Sequence, residues 1–156
     1  MIDVEIPGRS ALRLSHAILD LNGTLAFDGA VGEGVVERLL RLRERLDLVI
    51  ASADTTGTLA SWGERLGIRT RRAADGADKV RVLEELRGSG AKAVAAFGNG
   101  MNDVPVLRRA DLAVVVLGRE GAAGAALSAA DLVCHGPEDA LDLLLNPLRL
   151  VSGLRG

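Results

Sequence analysis

A chain of 156 residues has the length of one domain and buries enough of its surface to form a core without disulfide or metal staples. Its 48% apolar content is that of a globular protein, and no run approaches the roughly 20 apolar residues of a membrane span. A net charge of -2, with Phe27, Trp62 and Phe97 as the only aromatic residues, argues against a nucleic-acid partner, which needs a basic, base-stacking surface.

The opening residues lack the basic-then-apolar pattern of a leader, and Cys134 has no second cysteine to pair with, so a cytoplasmic, single-domain protein over 1–156 is expected. Ile2, Val4 and Ile6 alternate with Asp3 and Glu5, Pro7-Gly8 marks a turn, and Leu12 and Leu14 flank Arg13. This pattern predicts an amino-terminal β-hairpin that covers a sheet edge or an interface. Ala17, Ile18 and Leu19 then form a short apolar run that stops at Asp20, with turn chemistry in Asn22, Gly23 and Thr24. A buried parallel strand ending in a carboxylate makes Asp20 a candidate nucleophile, at the end of the sheet where open α/β folds bind ligands and facing solvent. A small hairpin around Asp28-Gly29 should follow.

A helix is predicted from about Glu33 to Arg45, with Val35, Val36, Leu39, Leu40 and Leu42 towards the core, while Arg38, Arg41, Arg43 and Arg45 interleave with Glu37 and Glu44 as a solvated face. The next strand, Leu48 to Ser52, again ends in a small polar residue, and Asp54, Thr55 and Thr56 offer caps for a helix through Leu66. Ser52 is placed to bond a phosphate oxygen, although alone it is an ordinary turn serine. Ile68 to Arg72 is a weak strand. Asp75 opens a helix through about Leu86 that carries Lys79 in its first turn, where the macrodipole disfavours a cation. Lys79 and Lys92 are the only lysines in an arginine-biased chain. A bound phosphate, or Asp75 and Asp78, would compensate the charge.

Ala93 to Phe97 forms a fourth strand of the parallel series and runs into Gly98-Asn-Gly-Met-Asn-Asp-Val-Pro105, whose glycines permit a phosphate-sized turn and whose proline suits a first helical turn. It is a poor dinucleotide fingerprint, because Asp103 stands in the place of the third glycine. Strands at Leu112 to Val116 and Leu132 to Cys134 are separated by small residues, and Pro137 begins a helix that Asn146-Pro147 breaks. Leu148, Leu150, Val151 and Leu154 are left to pack on the domain or on a second subunit. Cys134 and His135 lack metal-ligand spacing and read as structural.

Asp20-Leu-Asn-Gly-Thr24 resembles the first motif of the haloacid dehalogenase (HAD) superfamily, Asp-x-Asp-Gly-Thr, with Asn22 in the place of the second Asp. Ser52, Lys79 and Asn102-Asp103 follow in the order of that superfamily's remaining motifs. The stretch Gly98-Asn-Gly-Met-Asn-Asp-Val-Pro-Val-Leu-Arg-Arg-Ala-Asp-Leu112 is similar to the Gly-Asp-Gly-Val-Asn-Asp-Ala-Pro-Ala-Leu-Lys-Lys-Ala-Asp-Ile of P-type ATPase phosphorylation domains, and Ser52-Ala-Asp54 to their Thr-Gly-Asp. The likeness covers about residues 15 to 135, without the pumps' nucleotide-binding insertion or membrane helices.

The resemblance implies an α/β fold with a doubly wound, mostly parallel sheet, HAD-like, Rossmannoid and capless, behind the amino-terminal hairpin. It implies a soluble P-type ATPase-like phosphohydrolase acting on a small phosphorylated substrate or a phosphoprotein. Asp20 would be the nucleophile, Asn22 would stand at the acid/base position, and Lys79 would complete the catalytic group. Gly23, Thr24, Ser52, Ala53, Lys79 and Asn102 would hold phosphate. Asp20, Asn22 through its main-chain carbonyl, Asn99 and Asp103 would hold Mg2+. With amides at 22 and 99, slow turnover and joint binding of metal and phosphate are expected, and the alternative is a phosphate-binding regulatory module. A signalling receiver is excluded because it needs an acidic pair after its first strand. An open site would be covered by a partner or a homo-oligomer.

Overall fold

The computed structural model describes residues 1–156. β1 (Ile2–Val4) and β2 (Leu12–Leu19) form the expected antiparallel hairpin. The second arm does not stop where its alternation does: β2 pairs with β1 through Leu12 to Leu14 and then enters the parallel sheet from His16 onward. Leu14 faces Ile2 on one side and Ala93 on the other, so β1 lies beside the central strand and covers no sheet edge. This corrects the edge role expected for the hairpin.

β3 (Ala26–Phe27) and β4 (Ala30–Val31) make the small hairpin around Asp28-Gly29. α1 (Glu33–Leu42) stops short of the expected end at Arg45, because the chain tightens after Leu42 to enter β5 (Asp47–Ser52). α2 (Leu59–Leu66) begins later than the candidate caps, yet Asp54 still serves it: Oδ1 accepts the Leu59 N–H at 2.9 Å across the loop. There follow β6 (Arg69–Arg72), α3 (Gly76–Gly88), β7 (Ala93–Gly98), a 3-10 turn at Met101–Asp103, and the single-turn α4 (Val104–Leu107). β8 (Leu112–Val116), α5 (Gly124–Ala129), β9 (Leu132–Cys134), α6 (Pro137–Leu145) and α7 (Leu148–Leu154) complete the chain.

The sheet order is β6-β5-β2-β7-β8-β9, all parallel, with β1 antiparallel on β2. Inner strands are apolar at nearly every position because both faces are covered, as parallel sheets require. Ala17, Leu19, Ile50, Phe97 and Val114 face α1, α2, α6 and α7, whereas Ile18, Val49, Ala96 and Val115 face α3, α4 and α5. Edge strand β6 differs: its exposed arginines discourage further pairing, and Arg69 is anchored to Asp47 at 2.8 Å.

The chain winds outward from β2 to β6 and returns through α3 to place β7 on the other side of β2, making the end of β2 the topological switch point. Only the β3–β4 hairpin lies between β2 and α1, which leaves the fold without a cap domain. α7 folds back on its own domain, burying Leu150 and Leu154 beside β1 and α6, with Leu148 left outside. Of the carboxyl-terminal leucines, Leu148 alone stays exposed to a neighbour. No helix is long and apolar enough to cross a membrane.

Candidate active site

Three neighbouring strands end at one place. β2 delivers Asp20, β5 delivers Ser52, and β7 delivers the Gly98-Asn99-Gly100 turn, while the amino-terminal turn of α3 brings Lys79 from the adjacent face. Lys79 Nζ lies 2.6 Å from Asp20 Oδ1 and 2.5 Å from Asp103 Oδ1, with Lys79 and Asp103 each 1% exposed and Asp20 6%. Asp20 is thus buried rather than solvent-facing, contrary to the expectation for an open strand end. The charge of Lys79 in the first turn of α3 is compensated by these two carboxylates. Asp75 instead caps α3 by accepting the Asp78 N–H, and Asp78 pairs with Arg81.

Asp103 has both oxygens engaged, because Oδ2 accepts the Asn99 and Gly100 N–H groups at 2.9 Å each. Gly98 makes this possible, since a side chain there would overlap the Asp103 carboxylate. Asp103 therefore shapes the loop and holds Lys79. Asn102 is half-buried on the same 3-10 turn, beside Gly100.

On the other side of Asp20, the buried Thr24 hydroxyl is 3.0 Å from Asp20 Oδ2 and 3.2 Å from Asn99 Oδ1. One hydroxyl hydrogen faces two acceptor oxygens, and such an excess of hard oxygen suits a cation of the Mg2+ type. Asp20, Asn99 and the main-chain carbonyl of Asn22 fit that ion in chemistry. No three His, Cys, Asp or Glu side chains converge to hold a metal ion, and of Asp20, Asn99 and the Asn22 carbonyl only Asp20 brings a charge.

Gly23 turns beneath this group with φ 79°, and a Cβ on it would overlap both the Asn99 amide and the Glu120 carboxylate. Glu120 escaped notice in the sequence; its signal was a charged pair, Arg119-Glu120, between two glycines just past a strand end. Asn22 points the other way, towards the loop after β5, where its Nδ2 donates to Thr55 Oγ1 at 3.3 Å and its Oδ1 accepts from Thr56 Oγ1 at 3.1 Å. The Ser52 hydroxyl oxygen accepts the Asp54 N–H at 3.1 Å, which leaves its own hydrogen to donate, and Ala53 follows it half-buried. A cavity of about 670 Å³ lies against the β3–β4 hairpin, lined by Leu25, Phe27, Val35, Leu117, Arg119 and His135 among others, and none of the cluster's side chains lines it.

Burial raises the Asp20 carboxyl to about 6; Lys79 pulls it back down, and Asp103 adds to the rise. Burial alone would lower Lys79, but Asp20 and Asp103 outweigh it and hold the ammonium above its ordinary value. Burial, followed by the Asp139 carboxylate, pushes the Cys134 thiol up, leaving it a weak nucleophile in keeping with a structural role. In chelator-treated protein, stability should fall as pH rises from about 4 to above 6, because the folded Asp20 carboxyl binds its proton more tightly than the unfolded one. Asp20→Asn lacks this component, so the two urea-unfolding profiles should diverge over that window. Parallel profiles would contradict the burial of the charge.

A model of the haloacid dehalogenase-like hydrolase family matches residues 6–111. An uncharacterized protein of Methanocaldococcus jannaschii is 44% identical over 78 residues, which are 49% of this chain and 84% of that protein. The ATP-binding subunit of a potassium-transporting ATPase of Staphylococcus aureus is 25% identical over 132 residues, 83% of this chain but 18% of the subunit. Among solved structures, 3-deoxy-D-manno-octulosonate 8-phosphate phosphatase of Moraxella catarrhalis, in complex with magnesium, phosphate and KDO, has a TM-score of 0.73 at 13% identity, covering 89% of this chain and 90% of its own. That likeness is one of fold.

Proposed function

Because the chain belongs to the haloacid dehalogenase-like hydrolases, we propose that it is a Mg2+-dependent phosphohydrolase working through an aspartyl-phosphate on Asp20. The observation that carries this reading is the placement of Asp20 at the switch point with Lys79 Nζ 2.6 Å from its carboxylate. An Asp oxygen attacks phosphorus and the ester oxygen leaves; water then attacks the acyl phosphate, returning Asp20 and releasing phosphate. Lys79 keeps the buried nucleophile ionised and offers its charge to the phosphate. The Ser52 hydroxyl donates to a phosphate oxygen, joined by the main-chain N–H of Ala53 and by Asn102; the Gly23 N–H is taken by Ala26 O at 2.8 Å and the Thr24 hydroxyl by Asp20 at 3.0 Å, so these two shape the loop instead of holding phosphate as expected. Mg2+, held by Asp20, the carbonyl of Asn22 and Asn99 on the side of Asp103, would screen the charge of the incoming phosphate.

Asn22 transfers no proton, and positioned acid/base catalysis is worth about a hundred- to ten-thousandfold. Turnover is accordingly slow and favours esters with good leaving groups, acyl and nitrophenyl phosphates before alkyl phosphates. The substrate is a small phosphorylated compound or a phosphoprotein. Both partners of the Asn22 side chain are hydroxyls that can donate, so a carboxylate fits in its place. Asn22→Asp should raise turnover of alkyl phosphates by about tenfold or more, measured as phosphate release in a screen of esters with Mg2+. Equal rates would remove residue 22 from proton transfer. The tethering of the Asn22 amide by Thr55 and Thr56 favours a second reading, a phosphate-binding regulatory module. That module becomes the function if neither protein turns over any ester and neither is phosphorylated by acetyl phosphate with Mg2+.

A further inference from the structure

We propose that Glu120 supplies to the metal side of this site the negative charge that Asn99 does not carry. The proposal deepens the metal-dependent reading and rests on it. The Glu120 carboxylate and the Asn99 amide lie against the same face of Gly23, packed where a Cβ would overlap both. The turn that carries Glu120 is closed by Gly121 N–H donating to Gly118 O at 3.0 Å. Residue 99 anchors it twice: Asn99 Nδ2 donates to Gly121 O at 3.2 Å, and Ala123 N–H donates to Asn99 O at 2.8 Å.

The amide at 99 therefore has a task that a carboxylate could not perform. An ionised Asp accepts hydrogen bonds and donates none, so it would face the Gly121 carbonyl without a hydrogen and repel Glu120. The amide at 99 and the carboxylate at 120 belong to one arrangement in which the charge has moved from β7 to the loop after β8. Arg119 does not cancel that charge, being turned over the Phe27 ring at 6.0 Å from its centroid. Asp20, Asp103 and Lys79 together leave a net charge of -1 (two carboxylates less one ammonium), and Glu120 brings it to -2, equal and opposite to one divalent cation. Binding of the metal without a phosphate then becomes measurable, where the two amides alone would make it depend on substrate.

The test is a titration of the metal-free full chain with Mn2+, followed by electron paramagnetic resonance of the free ion, without substrate. Glu120→Gln should weaken binding by about tenfold or more, a loss in the range seen when groups supporting a metal site are changed. Its melting temperature should not move, since the residue is exposed. Adding Asn99→Asp to Glu120→Gln should recover the affinity, whereas Asn99→Asp alone should loosen the turn and recover nothing. If Glu120→Gln binds Mn2+ as wild type does while Asp20→Asn loses binding, Glu120 has no part in the site and the metal-dependent reading survives. If wild type binds Mn2+ only once inorganic phosphate is added, the proposal falls and the metal-dependent reading survives; if it binds none with phosphate either, both fall.

Discussion

Asp20→Asn should lower turnover by about a thousandfold or more and abolish labelling by acetyl phosphate, because the amide oxygen is no nucleophile and every other group in the site only binds or orients. The substitution tests chemistry rather than folding. Lys79 keeps its contact with Asp103 at 2.5 Å, and the Thr24 hydroxyl at 3.0 Å can still donate to the amide oxygen. The variant also loses a carboxylate that burial makes costly to ionise, so its stability at pH 7 should be no lower than that of wild type. Residual ester hydrolysis equal to wild type, in protein purified the same way, would take Asp20 out of the mechanism.

Lys79→Ala should cost about 3–5 kcal/mol of stability, the usual consequence of removing one partner from a buried ion pair. Here the loss strands two carboxylates, Asp20 and Asp103, in a site that solvent hardly reaches. Since a domain of this size is stable by only about 5–15 kcal/mol, the change should be plain in the midpoint of urea unfolding. Combining Lys79→Ala with Asp20→Asn should return part of the loss, because one stranded charge is gone, and the size of that return measures the coupling. Lys79→Arg should rescue little, as a planar guanidinium does not fit the point between two carboxylates that an ammonium occupies. Wild-type stability in Lys79→Ala would contradict the buried triad.

The strand order and the strand-end positions of Asp20 and Ser52 were legible because apolar runs stop abruptly where the sheet meets the site. Lys79 was singled out by its rarity and its unfavourable place in a helix, but not its partners: Asp20 is 59 residues away and Asp103 is 24, and no local rule joins them. The burial of Asp20 was hidden for the same reason, since it comes from α3 and the 3-10 turn closing over the strand end. β2 was divided by a change of environment within one strand, alternating where one face is wet and continuous where both are covered. The nearness of Glu120 to Gly23 depends on the Asn99 tether, which spans 22 residues and looks on the page like an ordinary glycine loop.

The packing of α7 beside β1 brings the two ends of the chain to one side of the fold, where Gly8 lies so near the Gly156 carbonyl that a side chain there would overlap it. This meeting point lies at the start of β2, the length of a strand of eight residues from Asp20. The fold is thus entered and left through one door, on the side away from its chemistry. Such a unit can be hung from a loop of another protein, or have its ends joined and be opened elsewhere, without disturbing the strand order that places its catalytic side chains.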